Sequence, residues 1–301
     1  WNKKLKPISG IDFEIHETGL LIFDEADFET GLNYAQQFQQ PMQHAEYLQA
    51  EQLAQVNPCI DPKFRHAMYF PQIANVRNPR LLQSMIGYLK QHPKVEFIEH
   101  CPIEQFNIVN GKVQSIRSQN KQIYFADQFV ITTGAWSKHW SEQLDLDIPV
   151  QPVQGQMVLF KTPENWLPTM CMNKVMYLIP RLDGHVVCGS SMANCGFDTT
   201  PTAATKQTIL EACFEMVPEL AAFPIVKQWA GLRPSSPTGV PYIGKMPELD
   251  NVWANFGHFR NGLCMGPASA RRLRQLILKQ PTLLDPTAFC PTRLTANTLT
   301  T

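Results

Sequence analysis

The sequence predicts a mixed α/β protein, and three observations carry that prediction. The apolar run Phe129-Val130-Ile131 ends in Thr132-Thr133-Gly134, the pattern of a buried strand feeding a tight turn and then a helix start. From residue 150 onward apolar and polar residues alternate around an Asp183-Gly184 turn, as antiparallel strands do. Stretches with helical spacing recur elsewhere, the clearest of them at residues 80–91.

In chain order, residues 8–24 read as extended around Thr18-Gly19-Leu20-Leu21-Ile22-Phe23, and residues 25–40 have the composition of a helix ended by Pro41. Residues 80–91 place Leu81, Leu82, Met85, Ile86 and Leu89 on one helical face, with Pro79 suited to the first turn. Strands are expected at 95–98, at 103–109 and 112–117 around an Asn110-Gly111 turn, and at 123–132. The β-rich part has strands at 157–161, 175–180 and 186–189, the last two joined by the turn Arg181 to His185. A helix over 203–216 stops before Pro218, and a Gly- and Pro-rich stretch, 231–244, follows. A strand at 252–256 and a helix at 268–279 complete the ordered part, and the Thr-rich tail after Pro291 is expected to be mobile.

At roughly 150 residues per domain, 301 residues make about two domains or one large interwound unit. Hydrophobic residues at 44% against charged residues at 17% exclude a mainly disordered chain. Lys plus Arg (26) balance Asp plus Glu (26), so the basic excess needed to hold a phosphate backbone is absent and nucleic acid is not expected as the main partner. The eight cysteines contain no C-x-x-C pair and no metal-ligand spacing; they read as reduced, mostly buried thiols of a cytoplasmic protein without a metal. No apolar stretch approaches the roughly 18 residues of a membrane span. The start at Trp1 reads as a processed or truncated product.

Three segments hold residue types with chemistry in them. In Gly257-His258-Phe259-Arg260-Asn261-Gly262, glycines flank a polar stretch between a strand and a helix, which sets backbone N–H groups and a helix start beside an anion or an electron-rich ring. A turn whose glycines serve only the backbone explains the same residues. In Trp229-Ala230-Gly231-Leu232-Arg233-Pro234, the Arg233 fork matches a carboxylate, or an internal salt bridge. In Tyr177-Leu178-Ile179-Pro180-Arg181, the Tyr177 hydroxyl is a donor for the same carboxylate, or the ring is packing material. His258 reads as a hydrogen-bonded turn residue more readily than as a base. No G-x-S-x-G, H-E-x-x-H or P-loop pattern occurs, so the common hydrolase and kinase chemistries lose support.

Taken together and in order, the run from Tyr177 through Gly189-Ser190-Ser191, Gly196-Phe197-Asp198, Gly231-Leu232-Arg233-Pro234, Gly239-Val240-Pro241-Tyr242-Ile243-Gly244 and Gly257-His258-Phe259-Arg260-Asn261-Gly262 resembles the glycine oxidases of the thiamine pathway, within the D-amino-acid-oxidase-like (DAO) family of FAD-dependent oxidoreductases. Residues 8–23, 76–82 and Thr133-Gly134-Ala135-Trp136-Ser137 also look like landmarks of that family, so the likeness covers nearly the whole chain. It implies a Rossmann-like FAD-binding domain built from residues 70–150 and 229–284, interwound with an antiparallel-sheet substrate domain of residues 8–69 and 151–228, and a tail of 285–301. The family's opening G-x-G-x-x-G turn occurs nowhere in this sequence, so the likeness further implies a chain that lacks the first βαβ unit of that domain.

The resemblance implies oxidative deamination of glycine or a similar small amine by hydride transfer to FAD, with oxygen as acceptor giving imine and hydrogen peroxide, the imine serving thiazole synthesis. Arg233 and Arg260 would grip the substrate carboxylate, Tyr177 would add a hydrogen bond, and Met192 would limit the pocket. Ile103, Thr133, Gly134, His258, Phe259, Arg260, Asn261, Gly262, Leu263 and Cys264 would lie along the cofactor. No catalytic base is implied, because positioning of the amine matters more than a protein base. The partners implied are the small amino acid or amine, molecular oxygen and a second copy of the chain. Alternatives within the family are oxidation of sarcosine, a D-amino acid, proline or a modified tRNA nucleoside, and transfer of electrons to a quinone. A non-catalytic remnant is the alternative from another class.

Overall fold

The computed structural model describes residues 1–24, 45–282, 285 and 287–294. The mixed α/β class is as expected, with sixteen strands among the described residues. The chain divides into two compact units that it enters more than once: Trp1–Phe97, Gly155–Met192 and Thr199–Ala230 make the first, and Ile98–Gln154, Ala193–Asp198 and Gly231–Thr301 the second.

The first unit is organised by an eight-stranded sheet in the order Ile225–Ser235, Gln151–Lys161, His185–Gly189, Tyr177–Pro180, Met170–Met172, Leu20–Ile22, His66–Phe70, Glu46–Gln49. The middle pair, Met170–Met172 with Leu20–Ile22, is parallel, and its neighbours on either side are antiparallel. The expected hairpin is present: Arg181 donates its N–H to the His185 carbonyl, and Gly184 takes a φ of +76°. A side chain at Gly184 would collide with the backbone carbonyl of Thr162, so both the conformation and the space require glycine there.

The helix Ala203–Met216 begins where the Thr202 hydroxyl accepts from the Thr205 N–H, and it stops before Pro218, as its sequence indicates. Its Ile209, Cys213 and Met216 are fully buried in one cluster with Phe160, Leu178 and Cys188 of the sheet. Burial of each large apolar side chain of this kind is worth about 1.5–3 kcal/mol, so this interface anchors the sheet's central strands.

Several expectations are corrected in this unit. Residues 8–24 are not continuously extended: a helix, Asn2–Ser9, opens the chain, and strands are confined to His16–Glu17 and Leu20–Ile22. The helix Asn78–Lys90 forms, but Leu82 is exposed and the buried residue is Ser84. The reason is close approach by the first helix: Ser9 Oγ and Ser84 Oγ are 2.9 Å apart, and a Cβ on Gly87 would lie 3.1 Å from that of Ser9. Small residues admit that contact where leucines would not. No strand forms at 95–98, where Val95, Phe97 and Ile98 are exposed and have no ladder to join. The helix expected over 25–40 falls outside the described residues.

The second unit holds two three-stranded sheets. In one, Val252–Phe256 lies between Tyr242–Lys245, antiparallel to it, and Phe129–Ile131, parallel to it. In the other, Ile103–Val109, Lys112–Ser118 and Ile123–Tyr124 form a meander. Phe129, Ile131, Ile148, Val150, Val252 and Phe256 share one core. The strand expected over 123–132 is split between the two sheets, because the non-strand residues 125–128 interrupt it. Part of the Gly- and Pro-rich stretch 231–244 is strand, being the end of Ile225–Ser235 and the start of Tyr242–Lys245. The last helix runs Gly262–Ile277, with Pro267 inside it, instead of starting at 268. At the sixth helical position proline removes a single intrahelical bond, which the remaining turns tolerate.

The expected mobility after Pro291 does not hold for its first residues: Pro291–Arg293 is a tight helical turn, and Leu294 belongs to the core. Three cysteines, Cys171, Cys188 and Cys213, are buried and Cys195 and Cys264 are exposed, so the thiols are not mostly buried. Among the described residues no helix is long and apolar enough to cross a membrane, and no His, Cys, Asp and Glu cluster could hold a metal ion.

Candidate functional site

The second unit gathers most of the residues of interest through two strand pairings. Phe129–Ile131 and Val252–Phe256 are parallel, with Ile131 opposite Ala254, so the turns that follow them leave the same edge of the sheet. Thr133 and Gly134 are on the first turn, and the segment from His258 to Cys264 is on the second. Carboxyl ends of parallel strands are where open α/β sheets bind ligands, because neighbouring turns diverge there and leave a crevice. Ile103 opens a strand of the other sheet and packs, half-buried, against the same core.

The turn after Phe129–Ile131 is closed by its own hydrogen bonds. Ser137, fully buried, gives its proton to the Gly134 carbonyl at 2.8 Å, so the Thr133 hydroxyl, 3.1 Å from Ser137 Oγ, donates to it. That accounting leaves Thr133 Oγ1 only its lone pairs to offer a further group.

A second pairing joins the Arg233 and Arg260 segments. Ser235 and His258 form an antiparallel bridge, and the Phe259 N–H donates to the Pro234 carbonyl at 2.9 Å. Beyond His258 the chain turns away: Phe259 takes a φ of +48° and the Asn261 N–H donates to the His258 carbonyl, so the pairing ends before Arg260. Arg233 is half-buried and Arg260 exposed.

His258 is fixed in one protonation state by hydrogen accounting. Ser269, buried in the helix Gly262–Ile277, donates its only proton to the Met265 carbonyl at 2.8 Å, and His258 Nε2 lies 3.0 Å from Ser269 Oγ. The serine oxygen must therefore accept, and Nε2 carries the hydrogen. Burial pushes the His258 pKa below the ordinary 6.5, so the ring is neutral at pH 7 with its lone pair on Nδ1. This agrees with reading His258 as a structural turn residue. The Ser269 side of the helix lines a cavity of about 300 Å³ with Ile243, Met265, Ala268, Arg272 and Phe289.

The donor set fits the ring end of a flavin. Gly262–Ile277 is sixteen residues long, and its N-cap Asn261 supplies no side-chain hydrogen bond, so the first-turn N–H groups at Gly262, Leu263 and Cys264 have no intrahelical acceptor. Such a helix start favours the electron-rich carbonyl edge of a heterocycle. Nothing in the sequence supplies a G-x-G-x-x-G turn for a pyrophosphate.

Tyr177 and Met192 lie in the first unit. Tyr177 is opposite Gly189, and Gly189 is opposite Met157 on the next strand, so the three form one row across the sheet. The Tyr177 hydroxyl donates to Met157 Sδ at 3.4 Å. Met192 is exposed. Two residues that hold these groups, Met157 and Ser269, escape sequence reasoning: Met157 sits in an ordinary strand run and Ser269 in an ordinary helix, and nothing local marks either.

The family described as FAD dependent oxidoreductase, DAO, matches residues 1–276. The chain is 39% identical over 289 residues to the glycine oxidase of Pseudomonas putida, covering 96% of this chain and 78% of that one. It is 26% identical to the bifunctional protein ThiO/ThiG of Nostoc sp., covering 93% of this chain and 42% of that one. The crystal structure of glycine oxidase from Geobacillus kaustophilus superposes with a TM-score of 0.89 at 23% identity, over 97% of this chain and 79% of that one, and shares its fold.

Proposed function

The chain belongs to the DAO family of FAD dependent oxidoreductases, and from that membership we propose that it oxidises glycine, or a similarly small amine or amino acid, to the imine, with molecular oxygen as acceptor and hydrogen peroxide as co-product. The likeness to a glycine oxidase supports the substrate class, and the likeness to ThiO/ThiG supports an imine destined for thiazole synthesis. One observation of the structure supports the reading furthest: the Ser235–His258 bridge and the Phe259 N–H bond to the Pro234 carbonyl bring the two segments that carry Arg233 and Arg260 side by side.

When bound, FAD supplies the acceptor for the electron pair that leaves the substrate, and oxygen restores it. Ile103, Thr133, Gly134 and the residues His258, Phe259, Arg260, Asn261, Gly262, Leu263 and Cys264 would hold it. Two guanidinium forks, from Arg233 and Arg260, bind the carboxylate of the amino acid by charge-assisted hydrogen bonds and fix its orientation. Tyr177 adds a neutral hydrogen bond to that carboxylate, and Met192 restricts the side chain that fits. The reacting amine must be neutral; no residue is assigned as its base, since rate comes from holding a small substrate in one pose. Association into a homo-oligomer belongs to the same reading and is read by light scattering.

The test is a peroxide assay together with the visible spectrum of the flavin-loaded chain. Glycine should bleach the flavin without oxygen and yield peroxide with it; no bleaching by glycine, sarcosine or D-alanine would overturn the reading. Loss of a charge-assisted contact is worth about 2–3 kcal/mol, so Arg233→Ala should raise KM for glycine on the order of 30- to 150-fold. An unchanged KM removes Arg233 from carboxylate binding.

A further inference from the structure

We propose that Met157 is a positioning residue for Tyr177: its thioether accepts the tyrosine's hydroxyl proton and, as a weak acceptor, yields it to the substrate carboxylate. The inference rests on the preceding reading of Tyr177 as a carboxylate ligand.

The strand register builds the contact. Met157 on Gln151–Lys161 and Tyr177 on Tyr177–Pro180 are not on adjacent strands; His185–Gly189 lies between them, and Gly189 is opposite both. Directly facing residues one strand apart have Cβ atoms about 4.5–5.5 Å from one another, so side chains two strands apart meet only across a gap. Gly189 is that gap. A Cβ built on Gly189 would lie 2.5 Å from Met157 Sδ and 3.3 Å from its Cε, so the methionine lies over the glycine where a side chain would otherwise stand. Its sulfur thereby comes within 3.4 Å of the Tyr177 hydroxyl, which donates to it.

The choice of acceptor decides what the contact can do. A phenol hydroxyl has one proton, and in this structure that proton points at a thioether, among the weakest acceptors available to a side chain. A carboxylate is far stronger, because its hydrogen bonds are charge-assisted. Rotation about the Cζ–O bond is enough to transfer the donor from one acceptor to the other, with no movement of the ring. The thioether thus orients the ring and satisfies its hydroxyl without competing with substrate. A carbonyl oxygen at the same place would orient the ring equally well and retain the proton.

The experiment uses the full chain loaded with FAD and labelled with ¹³C at the methionine methyls, the Met157 signal being assigned by its loss in Met157→Leu. The signal should move in Tyr177→Phe, in Gly189→Ala, which pushes the sulfur aside, and on addition of acetate, a carboxylate that cannot be oxidised as an amine. In steady state Met157→Gln should raise KM for glycine about fivefold, the worth of one neutral hydrogen bond, with kcat unchanged, and should add nothing in a Tyr177→Phe background. A Met157 signal that ignores Tyr177→Phe or acetate, or a KM effect of Met157→Gln that is the same in both backgrounds, overturns the proposal. A normal acetate response without peroxide from glycine supports the handover and overturns the glycine-oxidase reading instead.

Discussion

The Tyr177 row and the His258 turn position functional side chains by opposite means. Tyr177 is held by register: three strands run side by side, a glycine in the middle leaves room, and a side chain two strands away reaches across. His258 is held by a turn, where the Ser235 bridge and a chain of hydrogen bonds through Ser269 to the Met265 carbonyl fix the ring. The first arrangement depends on a fully packed sheet and core and cannot shift without slipping a strand. The second depends on a few polar contacts, each worth about 1 kcal/mol net, and can be altered singly.

The hairpin should show the largest effect. Gly184→Ala meets both an unsuitable φ and the Thr162 carbonyl, so it should cost about 2–4 kcal/mol and lower Tm by roughly 5–10 °C in calorimetry. An unaffected Tm would mean that the register of the Tyr177 row does not depend on that turn. Ser269→Ala comes next. It leaves the His258 Nε2 hydrogen half-buried without its acceptor, at about 1–3 kcal/mol, and ¹⁵N spectra should show the imidazole losing its single tautomer while the sheet resonances stay in place.

A smaller effect follows from protonation. The folded pKa of His258 lies below the ordinary 6.5, so as pH falls below that value the unfolded chain takes up a proton before the folded one does. The contribution of the neutral ring is complete above pH 6.5 and is lost as pH falls through the folded value. Thermal unfolding from about pH 5 to 8 should show a shallower acid slope in His258→Gln than in the unaltered chain. The mildest probe contrasts the thiols of the two units. Iodoacetamide on the native protein should label Cys195 and Cys264 and spare Cys171, Cys188 and Cys213, because burial pushes the Cys171 thiol up to about 12 and closes the core to reagent. Peptide mass spectrometry reads the outcome, and early labelling of Cys171 would show that the first unit opens more easily than its packing implies.

Local patterns were legible wherever one neighbourhood sets the conformation. The helix Ala203–Met216 follows from its Thr202 cap and Pro218, the hairpin at Arg181 to His185 from Asp183-Gly184, and the strand Val252–Phe256 from an apolar run closed by glycine. Leu82 was illegible because its exposure depends on which helix face Ser9 approaches. The break in 123–132 was illegible because two sheets compete for one stretch of β-forming residues.

The sequence by itself determined the kinds of residue and the local turns of the site: two arginines fit for a carboxylate, a tyrosine with a donor, and a glycine-flanked segment that begins a helix. Only the tertiary structure decided that the strand end at Ser235 pairs with the His258 turn, that Met157 reaches Tyr177 over Gly189, and that Ser269 sets the His258 tautomer. Periodicity and turn chemistry act over a few residues, whereas those contacts join positions from eleven to twenty-three apart through strand register or helix placement, which the folded chain alone supplies.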